Sequence, residues 1–151
     1  MDTKNTISLL NDLIETCKDG EYGFRECAEH AKAPELKTLF TTRAQGCARA
    51  AQELQAQVVA LGGSPDQGGS VAGAVHRGWV SVRSKLTGYD DKAMLEECER
   101  GEDVAVAKYR KALEQPLDPA LRQLVQTQYE GAQRNHDEVK AARNRYRQAA
   151  A

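Results

Sequence analysis

The stretch "EECERGEDVAVAKYRKAL", residues 96–113, carries an apolar stripe with one member of the wrong chemistry. Leu95, Cys98, Ala105, Tyr109 and Ala112 recur at the three-and-four spacing that lines one face of a helix, and Glu102 falls in register with them. The same pattern occurs near the N-terminus, where "CKDGE" (17–21) matches "CERGE" (98–102). Further along, "APELKTLF" (33–40) is echoed by "DPALRQLV" (118–125), and "GCARAAQEL" (46–54) by "GAQRNHDEV" (131–139). These echoes align Gly46 with Gly131, Arg49 with Arg134, Arg43 with Gln128 and Glu53 with Glu138. The chain reads as two copies of one helical hairpin, in which Glu21 and Glu102 are equivalent.

Periodicity extends each copy. A helix from about Thr3 to Lys32 has the stripe Ile7, Leu10, Ile14, Cys17, Glu21, Phe24, Ala28 and Ala31. Pro34 ends it, because the residue before a proline avoids helical geometry, and also suits the first turn of the next helix, which runs to about Leu61. "GGSPDQGGS" (62–70) is a clear break, and residues 71–87 read as a shorter amphipathic helix. A third long helix follows Asp90, and a fourth, capped by Asp118-Pro119, runs to about Gln148. No strand is indicated.

Lengths then set the topology. Tight turns make each hairpin antiparallel, and helices of this length span roughly 40–45 Å at 1.5 Å per residue. The segment 62–89 is long enough to cross the whole bundle, leaving the third helix parallel to the second. One long crossover is the ferritin-like connection. The expected fold is an all-α, ferritin-like four-helix bundle forming one domain over residues 1–151, with hairpins at about 3–61 and 90–148.

Composition narrows the function. Net charge is −1, so no global basic field recruits nucleic acid or an anionic membrane. No apolar run reaches the roughly 18–20 residues of a membrane span, and "MDTKNTISLL" lacks the features of a secretory signal. A cytoplasmic protein is expected. The four cysteines form no C-x-x-C pair, and Cys17 and Cys98 lie on apolar stripes, which suits buried reduced thiols.

Two inward glutamates are half of a di-metal pattern. In such bundles one helix of each hairpin gives a Glu and the other gives Glu-x-x-His, so that carboxylates bridge two cations and imidazoles close the shell. The second half is eroded here. The second helix offers Arg43, Gln45 and Arg49, and the fourth offers Glu130, Gln133 and His136. The candidate ligand set is therefore Glu21, Glu102, Glu130 and His136, for iron or another divalent metal. The rival reading is a buried polar pair, Glu21 and Glu102, neutralised by Arg43 and Gln128 in place of a full metal site, with no cofactor. A third reading places a protein partner on the crossover around His76, Arg77 and Trp79, and a homodimer is also expected.

"LNDLIETCKDGEYGF", "LGGSPDQGGSVAGAVHRGW" and "LEECERGEDVAVAKYRKAL" resemble an uncharacterised bacterial family of ferritin-like four-helix-bundle proteins, a domain of unknown function. The resemblance covers roughly residues 5–145 and implies a ferritin-like bundle. It brings no reaction and no functional residues. The expected protein is non-catalytic, structural, stress-associated or interaction-based, with metal storage or oxidase chemistry as the alternative.

Overall fold

The computed structural model describes residues 1–65 and 90–150. It contains four long helices: α1 (Thr3–His30), α2 (Pro34–Ala60), α3 (Asp91–Leu113) and α4 (Pro119–Ala150). Among the described residues there is no strand. The expected short helix at 71–87 and the surface around His76, Arg77 and Trp79 lie outside the described residues.

Three of the four helices begin where the sequence supplies an aspartate cap. Asp2 accepts from the Asn5 amide at 2.7 Å, Asp90 from Ala93 at 2.8 Å and Asp118 from Leu121 at 3.3 Å, so each satisfies an amide with no intrahelical partner. α2 starts on Pro34 without a side-chain cap. It ends at Gly62, whose φ of 84° lets the Gly63 amide turn back onto the Val58 carbonyl at 3.0 Å.

Two apolar clusters fill the ends of the bundle. One joins Phe24, Cys27, Leu36, Phe40, Met94, Leu95, Cys98 and Val139. The other joins Leu10, Ile14, Leu54, Val58, Tyr109, Leu121 and Val125. The late part of α1 thus meets the early part of α3, and the early part of α1 meets the late part of α3. The two run antiparallel. Since α1 and α2 form a hairpin, α2 and α3 run in the same direction, and the connection between them joins opposite ends of the bundle. This is the crossover topology that segment length had indicated.

Asp91 ties the two hairpins together. It is buried at the start of α3, and its two carboxylate oxygens accept from the Lys32 and Ala33 amides at 2.8 and 3.0 Å, in the turn between α1 and α2. At mid-height α1 and α2 approach so closely that a Cβ on Gly20 would stand 2.9 Å from Cys47 Sγ. α1 and α3 also pack together directly, while α2 and α4 stand further apart. The layer between the two apolar clusters is therefore open on the α2–α4 side.

Candidate functional site

That middle layer holds a cavity of about 600 Å³. Its floor comes from α1 and α3 and includes the buried residues Cys17, Phe24, Gly101, Glu102 and Tyr109. Its exposed lining, which includes Arg49, Gln52, Glu53, Thr127 and Arg134, comes from α2 and α4. Duplication is visible in the walls: Gly46 and Gly131 face the cavity from α2 and α4, and each is covered by the guanidinium of the arginine three residues on.

Glu102 is 5% exposed, and its Oε1 has no hydrogen-bond partner among the described residues. Burial pushes its carboxyl up to about 8, against a smaller opposing pull from the Arg43 cation. Asp103 and Glu138 push the same way as burial. Arg43 lines the cavity too, but its Nη1 lies 3.9 Å from Glu138 and its Nε is buried without a partner. The cavity wall therefore carries an unmet acceptor and an unmet donor.

A hydrogen-bonded chain crosses the same layer. Tyr109 lies 3.2 Å from Cys17 Sγ and donates to Gln128 Oε1 at 2.7 Å. Gln128 in turn donates to the Ala50 carbonyl and the Glu53 carboxylate. All four helices contribute a member. Desolvation raises the Cys17 thiol to about 11, so it stays protonated, and it holds the Tyr109 hydroxyl well above its ordinary value.

The residues singled out by the sequence do not form one site. Glu102 lines the central cavity. Glu21, expected beside it as the other half of a buried pair, is instead paired on its own helix, 2.6 Å from Arg25 and 4.0 Å from Lys18. Basic residues three and four positions away hold its half-buried carboxylate along its own helix. Glu102 has no such neighbour, since Cys98, Glu99, Ala105 and Val106 fill the equivalent places. Glu130 is exposed and accepts from Gln126. Of the expected neutralising pair, Gln128 serves Tyr109, Ala50 and Glu53, and Arg43 faces Glu102 without closing an ion pair.

His136 belongs elsewhere. With Glu99 and Asp103 it forms a group whose ligand atoms all lie within 4.8 Å of one another, on the outer face of α3 and α4. Asp103 lies 2.5 Å from its Nε2, and Glu99 is also paired with Arg143. A second such group is Glu26, Glu29 and His30 at the end of α1. Glu99 and Asp103 escaped the sequence reading because that reading looked only at inward positions. Their spacing of four from each other was the available signal.

A parallel α2–α3 pair, joined end to opposite end within four long helices, defines a ferritin-like bundle, and solved structures agree. Mycobacterium smegmatis Dps in its tetragonal form superposes with a TM-score of 0.76 at 16% identity, over 93% of this chain and 86% of that one. The bacterioferritin-related protein of Bacteroides fragilis, a dodecameric thioferritin, gives 0.73 at 14% identity over 99% and 92%. The DPS protein of Vibrio cholerae O1, described as a member of a broad superfamily of ferritin-like diiron-carboxylate proteins, gives 0.74 at 14% over 92% and 89%. No protein of curated function matches the chain in sequence. Residues 5–115 match the family called Domain of unknown function (DUF2383), and the chain belongs to that family.

A di-metal centre of the Glu plus Glu-x-x-His type does not fit the middle of this bundle. Two cations need several hard donors that converge on them. Among the described residues the cavity offers one buried carboxyl, faced by an arginine, two thiols and a tyrosine, and no histidine lines it.

Proposed function

We propose that this chain is a cytoplasmic, non-catalytic ferritin-like protein whose bundle centre serves binding and structure rather than oxidation of iron. One observation carries the reading. Glu102, the carboxylate that a metal would need most, sits shielded opposite Arg43, while its duplicate Glu21 is paired with Arg25 on its own helix and does not line the cavity. The free thiols suit a reducing compartment, since three of the four cysteines are buried with no disulfide among them. A homodimer or a larger closed assembly is in keeping with the dodecameric relative.

A second reading has its own support. Glu99, Asp103 and His136 bring two carboxylates and an imidazole within reach of a single divalent cation, a donor set suited to manganese, iron or zinc. Of the four ligands expected from the sequence, this keeps His136.

Elemental analysis by plasma mass spectrometry separates the two. Untagged protein purified without chelator is measured before and after addition of ferrous iron, beside Glu102→Gln and His136→Ala. Metal content unaffected by Glu102→Gln supports the proposed centre; stoichiometric metal lost in that variant overturns it. Metal lost only in His136→Ala establishes the outer-face site.

A further inference from the structure

We propose that the central cavity binds a small organic acid, its anionic group held by Arg49 and Arg134 and its apolar body seated against Phe24, Ala105 and Tyr109. The inference rests on the reading that Glu102 holds no metal. About 600 Å³ lies within the ~300–1,000 Å³ typical of pockets for small organic ligands. Its floor is apolar and aromatic, a composition that favours a carbon framework over an ion.

The exposed lining of the cavity carries cations from two helices. The Arg49 guanidinium lies 3.9 Å from the point where a Cβ on Gly46 would stand, and that of Arg134 lies 3.7 Å from the same point on Gly131. Both arginines line the cavity and both are exposed, so two cations related by the duplication stand at its mouth, on the side where α2 and α4 diverge. A planar guanidinium recognises carboxylate or sulfonate with paired N–H groups.

Deeper in, Glu102 is 5% exposed, and its Oε1 has no partner among the described residues. A buried polar atom left unmet is costly, and a polar group on the ligand body would meet it. The buried Arg43 Nε, also unmatched, stands in the wall of the same cavity. An anionic head at the mouth, an apolar body on the floor and one or two polar atoms at the far wall describe an aromatic or cyclic acid.

The probe is 8-anilinonaphthalene-1-sulfonate, which combines an apolar aromatic body, one N–H and one anionic group. It is titrated calorimetrically into the full chain, after elemental analysis has established the metal content. The expected result is saturable one-site binding. It weakens about tenfold or more in Arg49→Ala/Arg134→Ala, the loss of at least one charge-assisted hydrogen bond. Binding is abolished in Ala105→Phe, which fills the floor. N-phenyl-1-naphthylamine, the same body without the sulfonate, binds more weakly and is indifferent to the arginine changes. Thermal melts of every variant establish that it is folded, and Ala105→Leu replaces Ala105→Phe if the larger side chain prevents folding. Metal-free protein that shows no saturable binding, or binds equally in all variants, overturns the pocket. Stoichiometric metal lost in Glu102→Gln overturns the underlying reading instead, and is seen before any probe is added.

Discussion

Glu102→Gln keeps the shape of the buried side chain and removes its ability to ionise, so the variant isolates one titration. The carboxyl moves from an ordinary value of 4.5 to about 8 on folding, mainly because burial disfavours the anion. Between these values the native state holds a proton that the unfolded chain has released. Stability contributed by this group therefore falls as pH rises through that window. The penalty amounts to about 1 kcal/mol near pH 5, about 3 near pH 7 and about 5 near pH 8.5. Gln carries none of it, though its amide brings donors that also need partners, a cost independent of pH.

Urea denaturation of both proteins from pH 5 to 8.5 provides the test. The variant is expected to match or trail the wild type at the acid end and to exceed it by several kcal/mol at the alkaline end. Because the quantity of interest is the change in the difference between two proteins, other titrating groups cancel. Stability curves that stay parallel across the range would refute the placement of Glu102 as a shielded acid.

Asp91→Ala removes two hydrogen bonds that a buried carboxylate makes to the α1–α2 turn, and a loss of about 2–3 kcal/mol in chemical denaturation is expected. Asp91→Asn keeps one acceptor and should lose about half as much. Gly131→Ala places a Cβ 3.7 Å from the Arg134 guanidinium, an ordinary contact, so the helix-propensity gain of about 1 kcal/mol should appear as a higher Tm. Native thiols should resist Ellman's reagent at pH 8. Burial raises Cys17, Cys47 and Cys98 above their ordinary range, and all four cysteines should titrate only after unfolding. Rapid reaction of Cys27 or Cys98, which are fully buried outside the cavity lining, would show that the core cluster around them opens readily.

Much of the fold was legible because it depends on local rules. Pro34, Asp90 and Asp118-Pro119 mark helix starts, and the observed ends of α1 and α2 fall within two residues of those read from periodicity. Crossover direction followed from segment length, which needs no contact information. The candidate site was less legible. Periodicity put Glu21 and Glu102 on equivalent stripes, but whether a stripe residue is buried depends on competition among its neighbours. Arg25 and Lys18 win that competition for Glu21, and nothing on α3 does so for Glu102. Burial is also wider than a single stripe. Leu13, Gly20, Gly23 and Cys27 are buried because α1 packs on both α2 and α3.

By itself the sequence determined the helices, their order, the duplication and the direction of each, because caps, breaks, spacing and lengths act over a few residues at a time. It also exposed the one residue whose chemistry did not match its position. Tertiary structure decided what that mismatch means. Only packing could part α2 from α4, open a cavity between the two apolar clusters, bring the paired arginines to its mouth and leave the Glu102 oxygen without a partner. Those outcomes depend on distances between segments far apart in the chain, and no local pattern encodes such distances.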